Sequence, residues 1–201
     1  RRQRQTCIRD SGVTVLTKAS LVLRDLDLLQ SINQKAKAVV QMTFTTYDED
    51  LCRKIEPNVS TTRERFEVLM KCKELGIPTL VWMTPILPFI NDTRENIEGL
   101  LDYCLQAGVQ GILLFDVGVT LRDGDREFFY QALDRDFPGI RQKYVHTYGN
   151  AYDIPSPHAK ELMALIRNTC SANSILCSPK ECFAYPVSYT HLRAHETLMN
   201  L

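Results

Sequence analysis

The sequence predicts an α/β fold, a partial (βα) barrel truncated at its N-terminus. Three observations carry this. Short apolar runs at residues 13–17, 38–44, 79–84 and 109–116 alternate with amphipathic stretches, the rhythm of strands paired in parallel through crossover helices. Each run ends in small polar, charged or proline residues, at the end of the strand where βα enzymes hold ligands. A helix end precedes the first run, and four strands fall short of the roughly eight that close a barrel.

The elements follow in order. Residues 6–11 read as the end of a helix closed by Gly12. Residues 13–17 form a strand. Residues 21–29 open the next helix, with Ser20 or Asp25 near its first turn. A second strand spans 38–44, a short helix 48–55 and a loop 56–60. Thr61 or Thr62 caps a long helix to residue 75, with Arg63, Glu64 and Glu67 on its wet side. Gly76 and Pro78 stop it, as a glycine followed by proline does. The third strand is 79–84. Pro85 and Pro88 then impose an extended, bent segment. Asn91 or Asp92 is expected to cap a helix over 93–107, which Gly108 terminates. The near-continuous apolar run 109–116 suits a strand covered on both faces.

After Asp116 the pattern changes. Residues 126–134 and 158–168 are helical, and the aromatic-rich stretch between them reads as loop. The expected division is βα units over 1–125, a helical and loop cap over 126–185, and a tail over 186–201. The tail, PVSYTHLRAHETLMNL, has no place in the repeat. It resembles the peptide made when a reading frame runs into a sequencing adapter, and it is expected to be non-native.

Composition narrows the function. Lys and Arg total 24 and Asp and Glu total 24, a formal net charge of zero. That argues against a dedicated nucleic-acid or anionic-membrane binder. No apolar run approaches the roughly 18 residues of a membrane span, and the N-terminus RRQRQTCIRDSG has no apolar signal region. A cytoplasmic protein is expected. The 7 cysteines are then buried small hydrophobes or reactive thiols rather than disulfides. Cys52, Cys72 and Cys104 fall within predicted helices and read as packing thiols.

Candidate chemistry gathers at the strand ends. Lys18, beside Thr17, follows the first strand and can reach a carboxylate or phosphate, or simply cap the turn. Thr43 and Thr45 share one side of the second strand's end, Phe44 and Thr46 the other. Hydroxyls there suit ribose or carboxylate contacts, or reflect strand propensity alone. Glu56 and Arg65 read as a structural ion pair between loop and helix. Pro85, Pro88, Asn91 and Asp92 form a rigid rim. Arg122 faces a substrate or solvent. Cys170, Cys177 and Cys182 lack the paired C-x2-C spacing of a metal site. His191 and His195, with Glu196, are not in H-E-x-x-H order and lie in the tail. No phosphate-cradling glycine loop, nucleophile elbow or kinase signature is present.

Five stretches together carry a resemblance: TVLTKASLVLRDLDLL, MTFTTYDEDLCRKIEPN, ERFEVLMKCKELGIPT, TPILPFINDT and GVTLRDGDREFFYQALDRDFPGIRQKY. In order and spacing they resemble the radical S-adenosylmethionine (radical SAM) proteins related to spore photoproduct lyase, over residues 6–185. The resemblance implies a partial barrel of radical SAM type. In it a C-x3-C-x2-C loop holds a [4Fe–4S] cluster, and SAM binds the open iron position. Reductive cleavage of SAM then yields a 5′-deoxyadenosyl radical that abstracts a substrate hydrogen, the cofactor supplying the hard chemistry.

One departure limits what carries over. No C-x3-C-x2-C occurs in this sequence, and Cys7 stands alone. The chain is therefore expected to be a fragment without the cluster and without activity of its own. By the resemblance, Lys18 is the candidate for the SAM carboxylate. Thr43 is a polar SAM contact where the lyase has a serine, with Thr45 beside it. The substrate is open, and nucleic acid enters as a partner through the resemblance alone. Two other readings stand beside this one. The first is a SAM- or nucleotide-binding βα module without a cluster. The second is a metal-independent βα-barrel lyase or aldolase using Lys18 as a Schiff-base amine.

Overall fold

A computed structural model describes residues 12–122 and 124–186. The helix end expected over 6–11, Cys7, and the histidines and Glu196 of the tail lie outside the described residues.

Four strands form one parallel sheet in sequence order: β1 Val13–Thr17, β2 Ala38–Thr43, β3 Thr79–Trp82 and β4 Gly111–Leu113. Val13 stands opposite Ala38, Val40 opposite Thr79, and Leu80 opposite Gly111. The helices between them are α1 Leu26–Asn33, α2 Glu49–Ile55, α3 Thr62–Glu74 and α4 Arg94–Ala107. This is the mixed α/β architecture expected, an open parallel sheet consistent with a partial barrel. Strand alternation decides the core. Val40, Met42, Phe44, Val81, Met83 and Ile112 point to the helix side and pack with Leu69, Ile97 and Leu100. Each such side chain contributes about 1.5–3 kcal/mol by leaving water.

The opposite face is built differently. Thr14 and Leu16, Gln41 and Thr43, Leu80 and Trp82 alternate onto it. Gln41 links the strands there, donating to the Thr14 hydroxyl at 2.7 Å and accepting from the Trp82 indole. Among the described residues β1 has a strand partner on one side only, and Leu16 is 54% exposed.

The C-terminal part adds a two-stranded antiparallel ribbon, β5 Gly118–Thr120 with β6 Asp153–Pro155, and helices α5 Asp125–Asp136, α6 Ile140–Tyr148, α7 Ala159–Ala172 and α8 Pro179–Ala184. Leu121, Tyr130, Leu133, Tyr144 and Ile154 make a second apolar cluster. Helix α7 joins the main one through Leu162, Ile166 and Cys170. No helix among the described residues is long and apolar enough to cross a membrane.

Several boundaries differ from expectation, each for a physical reason. The helix expected over 21–29 begins as a 3-10 turn, Ser20–Asp25. The Ser20 hydroxyl does not cap it but accepts from the Ser60 hydroxyl at 3.1 Å, and the Asp25 carboxylate binds Arg24 instead. The stretch expected as loop contains α6. Its periodicity is aromatic rather than aliphatic: Tyr144 and Tyr148 lie four apart and meet Phe89 at ring-centroid distances of 5.6 and 6.0 Å. Helix α4 is capped by the Thr93 hydroxyl, which accepts from Asn96 N–H, and not by Asn91 or Asp92, whose side chains turn inward. The cap on α3 is Thr61, in a reciprocal capping box with Glu64.

Candidate functional site at the strand ends

The end of β1 is fixed first. The Thr17 hydroxyl accepts from Ala19 N–H at 3.0 Å, so the chain turns directly after the strand and Lys18 projects at its tip. The Lys18 ammonium donates to Glu56 Oε1 at 2.6 Å. Glu56 Oε2 accepts from the Thr45 hydroxyl at 2.8 Å and from Arg65 Nη2 at 2.9 Å. Arg65, on α3, also donates from Nη1 to the Thr43 carbonyl at 2.7 Å and from Nε to the Ser60 carbonyl at 2.8 Å. The ion pair read from sequence is thus present and holds the ends of β1 and β2 and the 56–60 loop together.

Exposure shows where the charge goes. The Arg65 side chain is 0% exposed, Glu56 10% and Lys18 39%. Two cations share one carboxylate, so the cluster carries a net positive charge, and Lys18 alone brings it to solvent. Burial by itself raises the Glu56 carboxyl. The Lys18 hydrogen bond, the Arg65 charge and the Thr45 hydroxyl outweigh it and hold the group below its ordinary value. An anionic ligand group meeting Lys18 would find a charge that the protein has not neutralised.

Thr43 ends β2 beside Trp82 in register and is buried. Thr45 is buried too, its proton spent on Glu56. The Thr46 hydroxyl is buried with no hydrogen-bond partner among the described residues. The rim segment is held by amides. Asn91 accepts from Leu87 N–H and donates to the Thr45 carbonyl at 2.6 Å. Asn96 donates to the Asn91 carbonyl at 2.8 Å and accepts from Tyr47 N–H at 2.6 Å. Asp92 accepts from the Ser156 hydroxyl at 2.5 Å. Sequence reading missed Asn96 and Ser156. An asparagine inside a helix's first turn was the available signal for Asn96; Ser156 meets Asp92 only in three dimensions.

A cleft of about 380 Å³ opens between the ends of β3 and β4 and the β5–β6 ribbon. Thr84, Pro85, Phe115, Asp116, Thr120 and Asp153 line it. The Phe115 ring, 61% exposed, lies 6.2 Å from Trp82 and 6.3 Å from Phe183. Arg122 is exposed, and Tyr152 and Asp125 act to raise its guanidinium above the ordinary value. The structure therefore gathers Lys18, Thr45, Glu56 and Arg65 into one network, sets Thr43 against it through its carbonyl, and leaves Arg122 outside.

The described cysteines do not offer a cluster site. Among the described residues no group of three or more His, Cys, Asp or Glu side chains is placed to hold a metal. Cys52 contacts the Thr62 hydroxyl. Burial pushes the Cys72 thiol up to about 12 and raises Cys104 as well. The Cys182 thiol points at the carbonyls of Ile112 and Leu176. An iron–sulfur cluster needs a set of thiolates, and the described cysteines are not placed to supply one.

No protein-family model matches the chain. A Mycobacterium tuberculosis protein called uncharacterized is 28% identical over 151 residues, which are 75% of this chain and 44% of that protein. An uncharacterized protein of Acidianus two-tailed virus is 32% identical over 119 residues, 55% of this chain and 39% of that protein. The chain spans less than half the length of these relatives. Among solved structures, a spore photoproduct lyase double mutant with bound AdoMet and dinucleoside spore photoproduct is similar at a TM-score of 0.55. That match has 14% identity and covers 83% of this chain and 49% of the lyase. The likeness is one of fold.

Proposed function

We propose that this chain supplies the later strands of a radical SAM barrel in a cytoplasmic enzyme related to spore photoproduct lyase. In this reading residues 1–125 are barrel units, 126–185 a cap and 186–201 a non-native tail. The observation that carries it is the Lys18–Glu56–Arg65 cluster: a net positive charge, open to solvent only at Lys18, at the strand end where this fold holds ligands.

Lys18 is the partner for the carboxylate of SAM. Glu56 takes one of its three ammonium protons at 2.6 Å and leaves two for a ligand. Thr43 offers a hydroxyl at the end of β2. Thr45, whose proton goes to Glu56, offers lone pairs suited to a ribose hydroxyl. In the longer enzyme SAM supplies the radical that abstracts a substrate hydrogen. The cluster that starts that chemistry has no donor set among the described residues, so this chain's part is to bind and orient SAM. A nucleic-acid substrate belongs to the proposal only through the lyase's bound dinucleoside. The Schiff-base reading loses ground, because an ammonium donating to a carboxylate has no lone pair for a carbonyl.

The test is calorimetric titration of the chain with SAM. Binding that Lys18→Ala weakens at least about tenfold, some 1.4 kcal/mol, supports the reading. Heat of binding that Lys18→Ala leaves unchanged, or no heat with the folded wild type, overturns it.

A further inference from the structure

The rim of the sheet is electrostatically divided. At its β1–β2 end the Lys18–Glu56–Arg65 cluster is net positive. At the other end lies the cleft of about 380 Å³ between β3, β4 and the β5–β6 ribbon. Among the described residues its lining holds two ionisable side chains, Asp116 and Asp153, and both are acids. The ribbon aims one of them by alternation. Thr120 stands opposite Asp153, and Val119 opposite Ile154. Val119 and Ile154 pack in the second apolar cluster, so Thr120 and Asp153 share the other face, toward the cleft. Asp116 follows β4, and its Oδ1 accepts from Val117 N–H at 2.7 Å. That bond fixes the carboxylate and leaves Oδ2 for a ligand. Arg126, the next base in the chain after Arg122, turns its Nη2 to the carbonyls of Asn150 and Ala151.

An aromatic wall adjoins these acids. The Phe115 ring lines the cleft, largely exposed. It is tilted 57° to Trp82 and 35° to Phe183, at 6.2 and 6.3 Å, and Phe183 is itself half exposed. Ring faces carry partial negative charge and attract cations. Carboxylates attract them too. A flat ring covers Phe115, and a positive charge on that ring meets Asp116 and Asp153. The two features select the same chemistry, and the cleft is of a size to hold it.

We propose that this cleft binds a planar organic cation, a ring or conjugated system carrying an amidinium-like charge. Phe115 stacks on its face, and Asp116 and Asp153 accept from its charged N–H groups. A nucleic-acid strand does not fit here, because its phosphates would meet two carboxylates and no cation. Taken with the proposed function, on which this clause alone rests, the substrate offered to the rim is a cationic ring compound rather than a nucleic acid.

The test titrates the full chain calorimetrically with benzamidinium, benzamide and benzoate, rings of one size that differ in charge, and with the dinucleotide thymidylyl-thymidine. Trp82, the sole tryptophan, reports from beside Phe115 through its emission. Benzamidinium should bind saturably, at least about tenfold more tightly than benzamide, and shift the Trp82 emission in step with the heat. Benzoate and the dinucleotide should not bind. The double variant Asp116→Asn, Asp153→Asn should lose the preference for the cation, and Phe115→Leu should weaken benzamidinium about threefold. All three side chains are exposed, and Asp116→Asn keeps an oxygen for Val117 N–H, so these variants should fold. No binding of benzamidinium, equal or tighter binding of benzamide, benzoate or the dinucleotide, or a preference that survives the double variant overturns the proposal. The SAM titration is separate: benzamidinium binding without SAM binding sinks the proposed function and leaves the cleft, and the reverse result sinks the cleft and leaves the SAM site.

Discussion

Arg65 and Glu56 meet at 2.9 Å with the guanidinium sealed from water, and the same guanidinium holds the carbonyl that ends β2. A buried charge without its partner is costly, so each needs the other. Arg65→Met is expected to lose about 3–5 kcal/mol of stability, because it strands the Glu56 carboxylate. Urea unfolding measures this. The double variant Arg65→Met, Glu56→Gln should lose less than the sum of the two single changes. A loss for Arg65→Met within about 0.5 kcal/mol, the range of ordinary surface changes, would show that the pair is not structural.

The acid limb of stability should carry the signature of Glu56. Its folded carboxyl lies below the ordinary value of 4.5. A depressed carboxylate adds stability above the unfolded value, and that stability is lost as pH falls through the folded one. Wild type should therefore weaken as pH drops below 4.5. Glu56→Gln should be less stable at neutrality and show a shallower acid slope. Parallel acid slopes for the two proteins would refute the assignment.

Lys18 should separate binding from stability. Its side chain is 39% exposed, so its pairing with Glu56 is screened, and Lys18→Ala should cost no more than about 1 kcal/mol in unfolding. The same change should weaken SAM binding by at least about tenfold. Lys18→Arg keeps the charge but replaces the compact ammonium with a planar fork. It should recover less than full affinity. Full affinity in Lys18→Ala would remove Lys18 from the site.

Two glycines test two different constraints. A Cβ on Gly118 would stand 2.4 Å from the Ile154 carbonyl oxygen and 2.9 Å from Pro155 Cα. That backbone cannot yield without opening the ribbon. At Gly76 a Cβ meets nothing within 4 Å, but φ is 69°, so only the left-handed backbone opposes it. Gly76→Ala should cost about 1–2 kcal/mol. Gly118→Ala should cost more and loosen the ribbon side of the cleft. Thermal midpoints rank the two, and the reverse order would contradict the ribbon's role.

Much of the fold was legible because its signals are local. Thr61 with Glu64 three residues on, and Gly76 with Pro78 beyond it, mark a helix by caps that act within one turn. The four apolar runs marked four strands, each in the right place, though β3 and β4 are shorter than their runs. Pairing ends where Pro85 and the turn after β4 lead the chain away, and hydropathy does not record that. Helix α6 was hidden because tyrosines carry its buried face, and they pack on Phe89 and Phe129 from distant parts of the chain.

The candidate site divides in the same way. Lys18, Thr43 and Thr45 were visible as polar residues ending apolar runs, and Glu56 with Arg65 as an ion pair between loop and helix. The sequence by itself determined the order of the first four strands and the helices between them, the Thr61 and Gly76 signals that bound α3, and which residues could reach the rim. Each of these depends on neighbours a few positions away. Only the tertiary structure decided that one carboxylate serves Lys18, Thr45 and Arg65 together and that Asp92 is spent on Ser156. These contacts join residues up to 64 positions apart, and their geometry is set by the packing of the sheet against its helices.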